Sequence, residues 1–145
     1  MTSGFSFHTR WELAAPVEAV QPVLSDLEHY PEWWPEIVAV AKIDDVNARV
    51  LCRSRLPYTL DLVLTLVRDE PRLLECRIAG DLVGSVAWRL EDVGGATRLD
   101  YTQEVVLTRG LLRRFARPLR PLMEWNHAQM MAGCVAGLRE RLGVR

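Results

Sequence analysis

Between Tyr58 and Arg68 leucine returns at every second position, as Leu60, Leu62, Leu64 and Leu66, while Thr59, Asp61 and Thr65 take positions between them. A side-chain period of two belongs to a β-strand, and a strand apolar on one face and polar on the other belongs to an antiparallel sheet with one side buried. The same parity turns Leu74, Cys76 and Ile78 inward on the next run, then Leu82, Val86, Trp88 and Leu90, then Leu99, Tyr101, Gln103, Val105 and Leu107. Turn-forming residues at Asp44-Asp45 with Asn47, Leu56-Pro57, Asp69-Glu70-Pro71, Gly80-Asp81 and Gly94-Gly95 divide residues 36 to 107 into five or six strands of a meander. Only the last strand carries polar groups on its inward face.

The flanking segments supply helices. Phe5, Phe7, Trp11 and Leu13 alternate with polar residues and predict a first strand over about residues 5 to 14. Pro16 suits the first turn of a helix, and Val17, Val20, Leu24 and Leu27 recur at helical spacing, which predicts a helix ending near His29. Tyr30 to Pro35 reads as a short second helix or turn, with Trp33 and Trp34 as lid or core aromatics. Pro118 and Pro121 interrupt or restart a helix that then runs to about Leu142, closed by Gly143. On it Leu122, Met123, Asn126, Met130, Gly133, Cys134, Gly137 and Leu138 form one stripe, flanked by His127 and Gln129 as helix-edge residues, either of which can reach a pocket mouth. The two glycines predict close approach of helix to sheet. Residues 1–145 therefore read as a single α+β unit, a curved antiparallel sheet wrapped around a long C-terminal helix over an interior hollow.

Composition narrows the possible roles. The chain has 145 residues, 49% of them hydrophobic, which suffices for one core, and no apolar run approaches the length of a membrane helix. A formal net charge of -1 argues against a nucleic-acid binder, whose affinity rests on uncompensated Lys and Arg. Cys52, Cys76 and Cys134 are odd in number and sit among apolar neighbours, as reduced buried thiols do. The first residues lack an export segment, so a cytoplasmic location is expected. No phosphate loop, nucleophile elbow or zinc spacing occurs, and His8, His29 and His127 stand apart from one another. Neither a metal nor a cofactor is expected.

What remains is a hollow with few polar groups. Tyr101 and Gln103 on the last strand, Asn126 on the helix and Arg68 at the end of the leucine strand are the candidate contacts. An apolar pocket with a handful of hydrogen-bonding groups suits an apolar ligand bearing carbonyl or hydroxyl oxygens. Each polar group has a structural alternative: Tyr101 can bond a backbone carbonyl, Gln103 and Asn126 can satisfy each other, and Arg68, beside Asp69-Glu70, can reach solvent.

The run from Trp11 through Val20, the segment Asp26-Leu27-Glu28-His29-Tyr30-Pro31-Glu32-Trp33-Trp34-Pro35, and Trp88-Arg89-Leu90, Gly94 to Leu99, Tyr101 to Glu104 and Gly137-Leu138-Arg139 resemble the START-like, Bet v 1-like superfamily. The resemblance is to its polyketide cyclase/dehydrase branch and covers essentially the whole chain. It implies the helix-grip fold with a deep cavity. It also implies one of several activities, since such domains include lipid carriers, hormone receptors and aromatase/cyclases. In the aromatase/cyclases an arginine late in the central strand and a glutamine on the last strand are implicated in holding the poly-β-ketone, and Arg68 and Gln103 resemble those positions. Those enzymes carry more aromatic rings where this chain has leucines.

Two expectations follow. The first is binding of a hydrophobic small molecule, lipid or polyketide-like, with Leu62, Leu64, Leu66, Trp88, Met123 and Met130 supplying apolar surface and Arg68, Tyr101, Gln103 and Asn126 setting the pose. The alternative is an aromatase/cyclase or dehydratase in which Arg68 stabilises an enolate, Tyr101 acts as proton donor or hydrogen-bond donor and Gln103 fixes a carbonyl. A monomer or homodimer without integral membrane association is expected in either case. Arg113, Arg114, Arg117 and Arg120 beside Leu111, Leu112, Phe115 and Leu119 form either a solvated face or a surface that touches a membrane or partner.

Overall fold

The computed structural model describes residues 4–145, apart from the side chains of residues 111, 112 and 115. Its strands are β1 (Gly4–Leu13), β2 (Ile37–Lys42), β3 (Asn47–Cys52), β4 (Leu60–Glu70), β5 (Leu73–Gly80), β6 (Leu82–Val93) and β7 (Ala96–Leu107). They form one antiparallel sheet in the order β1-β7-β6-β5-β4-β3-β2. Residues 36 to 107 thus fold as a six-strand meander, and β1 joins its far edge by pairing with β7, from Gly4 opposite Val106 to Leu13 opposite Thr97. Helix α1 (Val17–Ser25) and a 3-10 turn (Leu27–Glu32) carry the chain from one edge to the other. Helices α2 (Gly110–Phe115) and α3 (Arg120–Leu142) follow. This is the helix-grip architecture.

The first helix ends earlier than its apolar spacing predicts. At Asp26 the backbone leaves the helical region (φ -91°, ψ 70°), and the Asp26 carboxylate takes the Nδ1 of His29 at 2.8 Å. A short polar side chain that bonds locally competes with the helix for the same turn, and the chain tightens into the 3-10 segment.

Parity holds along β7, where Leu99, Tyr101, Gln103, Val105 and Leu107 are all buried. It fails once in β4. Leu66 stands opposite Cys76, but Arg68 stands opposite Glu75, so Val67 is an extra residue bulged out of the ladder. Beyond the bulge, in and out exchange places.

The sheet and helix are tightly packed at one corner. Leu13, Val20, Thr97, Leu99, Cys134 and Leu138 are almost completely sequestered there, and the Thr97 hydroxyl donates to the Ala15 carbonyl at 2.7 Å. The backbone of α3 packs closely along none of the strands. Its two small residues meet a loop instead of the sheet, which corrects the sequence expectation. A Cβ on Gly137 would overlap the carbonyl oxygen of Trp33, and one on Gly133 would overlap the Glu36 carboxylate. Trp34 adds a bond from its indole Nε1 to the Met130 carbonyl at 3.0 Å. Leu122, expected in the stripe, is 42% exposed, because one helical step of about 100° turns it away from Met123; Met131 is buried on the other flank. Gly143 closes the helix in the left-handed conformation (φ 72°) and donates its N–H to the Glu140 carbonyl.

Because the obstruction at Gly137 is backbone and the one at Gly133 is a side chain that can swing away, the two glycines differ in tolerance. Gly137→Ala is expected to destabilise the fold by about 2–4 kcal/mol and Gly133→Ala by clearly less, as read by urea denaturation. Equal losses would contradict this seating of the helix.

Candidate functional site

A cavity of about 370 Å³ lies between the sheet and α3. Its floor is Leu62, Leu64 and Leu66 of β4, with Cys76 and Ile78 of β5, Val86 and Trp88 of β6, and Tyr101 and Gln103 of β7. Met123, Asn126, His127 and Met130 of α3 form the roof, and Trp34 closes one side. Every ligand-binding candidate read from the sequence therefore lines this space except Arg68. The Val67 bulge puts Arg68 on the outer face, where its side chain is 56% exposed and pairs with Glu70 at 3.3 Å and Glu75 at 3.4 Å. It reaches neither the cavity nor any group inside it, so the enolate-stabilising role assigned to it has no counterpart in the fold.

The interior polar groups form one small cluster. The Gln103 side-chain carbonyl accepts from the Tyr101 hydroxyl and from Nε2 of His127 at 3.2 Å, which requires the Nε2–H tautomer. Both neighbours thus converge on the same oxygen, and the Gln103 amide N–H groups make no hydrogen bond to a described residue. The His127 ring lies flat on Phe7, centroids 3.6 Å apart. Burial drives its pKa from 6.5 to about 4 and pushes the Tyr101 phenol up, so neither is charged near neutral pH. The thiols of Cys52 and Cys76 are held protonated in the same way, at about 12 and about 11.

Asn126 has a different task. Its side-chain carbonyl accepts the backbone N–H of Arg55 at 2.7 Å and of Leu56 at 2.9 Å, and its amide reaches the Tyr58 hydroxyl at 3.5 Å. It ties the β3–β4 loop to α3, so the Gln103–Asn126 pairing weighed from sequence does not form. His127, Tyr58, Phe7 and Trp34 were not among the site candidates. A histidine flanking an apolar helical stripe is the signal for the first; Phe7 and Tyr58 share the inward parity of their strands, and Trp34 reads as a lid or core aromatic. The outer end of the cavity is lined by polar groups, among them Asp26, Glu28, Lys42, Asp44, Asp45 and Asp69. Among the described residues, no group of His, Cys, Asp and Glu is placed to hold a metal ion, and no helix is long and apolar enough to cross a membrane.

The His127 shift makes stability depend on pH. Its folded pKa, about 4, lies below the unfolded value of 6.5, so between those values the unfolded chain binds the extra proton and stability falls as pH falls. The loss approaches about 3 kcal/mol below pH 4. His127→Gln is expected to flatten the dependence of the urea midpoint over that window; an unchanged slope would place the histidine in contact with solvent.

Comparison with known proteins agrees with this architecture. The family model for "Polyketide cyclase / dehydrase and lipid transport" matches residues 5–143. By sequence, no curated protein matches. Among solved structures, a protein of Thermus thermophilus aligns with TM-score 0.82 at 19% identity, covering 95% of this chain and 97% of that one. The Zhui aromatase/cyclase of Streptomyces aligns with TM-score 0.80 at 15% identity, over 97% and 94% of the two chains. A START superfamily protein from Mycobacterium smegmatis aligns with TM-score 0.71 at 17% identity, over 95% and 97%. Likeness at such identities is likeness of fold. With the family model spanning nearly its full length, this chain is a member of the polyketide cyclase/dehydrase and lipid transport family.

Proposed function

We propose that the chain binds a largely apolar small molecule carrying at least one carbonyl or hydroxyl oxygen, held between the sheet and α3. The observation that carries this reading is the unfilled space of about 370 Å³ bounded by Leu62, Leu64, Leu66, Trp88, Met123 and Met130, with the uncharged Tyr101–Gln103–His127 cluster at one wall. Apolar contact supplies most of the affinity, at about 25 cal/mol per Å² of surface removed from water. The Gln103 amide, whose carbonyl is already engaged, offers its N–H to a ligand oxygen and orients the guest.

Binding is favoured over cyclisation or dehydration by the chemistry of the wall. A general acid or base works best with a pKa near the operating pH. His127 sits at about 4, the Tyr101 phenol is raised by burial, and Cys52 and Cys76 stay protonated. Arg68, the expected enolate partner, is outside. A polyketone would find a shape and a donor here, and at the Tyr101–Gln103–His127 wall it would meet side chains held in their neutral forms.

The naphthyl ketone prodan, whose emission shifts to the blue when it leaves water, tests the reading. Saturable blue-shifted emission at one probe per chain is expected. Leu64→Phe with Leu66→Phe, which fills the cavity, should weaken binding at least tenfold while far-ultraviolet circular dichroism stays unchanged. Gln103→Leu should weaken it about fivefold, as the loss of one hydrogen bond of roughly 1 kcal/mol implies. Undiminished binding by the filled variant would place the probe elsewhere and overturn the proposal.

A further inference from the structure

The longest stretch of the chain without an acidic residue runs from Val105 to Met123 and contains Arg109, Arg113, Arg114, Arg117 and Arg120. Two of these arginines are engaged. Arg109 donates to the Thr59 carbonyl at 2.8 Å, and Arg120 donates to the Gly4 carbonyl at 2.7 Å with its guanidinium over the Phe5 ring. Arg113, Arg114 and Arg117 are exposed and form no ion pair or side-chain hydrogen bond with a described residue. Beside them Leu119, Leu122 and Trp125 are 41%, 42% and 47% exposed. They are spaced three residues apart at the start of α3 and follow the exposed arginines directly in the chain. The apolar side chains of Leu111, Leu112 and Phe115, expected from sequence in the same segment, lie outside the described residues.

The stretch from Val105 to Met123 concentrates basic charge although the total is only -1, and its Arg109 approaches Asp81 at 3.9 Å. The Arg109 contact sets this basic, apolar surface beside the start of β4, at Thr59. Asp44 and Asp45, next to the Val46 that accepts the Leu66 N–H, and Asp69 and Glu70 lie at the other end of β4, roughly 30 Å away by strand rise. Exposed tryptophan and leucine among unpaired arginines is the composition of a segment that rests at a lipid headgroup interface.

We infer that the α2–α3 junction is a docking surface for anionic lipid bilayers, with Arg113, Arg114 and Arg117 meeting the phosphates and Leu119, Leu122 and Trp125 entering the acyl boundary. Complementary charge decides in favour of this occupant, since Arg113, Arg114 and Arg117 have no ion-pair partner among the described residues, and Glu124, the one acidic residue between positions 105 and 139, is taken by Arg120 at 3.9 Å. Met123, one residue from Leu122, already lines the cavity, so docking brings the cavity's near end to the lipid.

The test is cosedimentation of the full chain with vesicles of phosphatidylcholine alone or mixed with phosphatidylglycerol. Pelleting with the anionic vesicles at low salt, at least tenfold weaker partitioning onto phosphatidylcholine alone, and release at high salt are expected. Arg113→Glu with Arg117→Glu should abolish binding, and Leu122→Ser with Trp125→Ser should weaken it at least fivefold at low salt. All four positions are exposed, and prodan binding, unaffected in these variants, reports an intact cavity. Absence of anionic-vesicle binding, or binding that both variant pairs retain, overturns the proposal. So does a dimer lost in the Leu122/Trp125 pair without vesicle binding, which would assign the face to a second copy of the chain.

Discussion

The carbonyl oxygen of Trp33 rests where a side chain on Gly137 would be, and on that contact the interior of this protein depends. It lets the Trp33–Glu36 segment lie directly against α3, with Gly133 admitting the Glu36 carboxylate one turn earlier and the Trp34 indole bonded to the Met130 carbonyl. Nearer the helix start, Asn126 holds the β3–β4 loop by two backbone N–H groups. The helix is therefore fixed to loops at both ends of its buried stripe, and its packing against the strands is concentrated at the corner of Leu13, Leu99 and Leu138. Between these supports helix and sheet stand apart, and the cavity is the result. A helix laid flat on the leucine face would have closed it.

This arrangement also explains why the wall is chemically quiet. Tyr101, Gln103 and His127 occupy a region that water reaches poorly, so each ionisable group there is held in its neutral form. The hydrogen bonds that converge on the Gln103 carbonyl leave its amide as the donor available to a guest. An apolar space with one oriented donor selects by shape and by a single oxygen.

Much of the fold was legible because period-two alternation survives along nearly every strand, and β7 follows it from Leu99 to Leu107 without a break. The site was legible to the same extent, since inward parity names its lining. Arg68 escaped because a bulge adds one residue with no sequence mark, and one residue suffices to turn a side chain to the other face. Gly133 and Gly137 announced a close approach without saying to what, because a missing Cβ specifies space and not the group that fills it. Asn126 lines the cavity as read, but its task of holding Arg55 and Leu56 was not legible, because they lie in a loop whose path no periodicity describes.

Diffraction from crystals pressurised with xenon tests the gap between sheet and helix most directly, since xenon settles in apolar cavities that water leaves empty. The account predicts anomalous peaks between Leu64 and Met130, within the space bounded by Trp88 and Met123. Their absence, with those side chains in mutual contact, would mean that the helix lies down on the sheet and that the interior is filled.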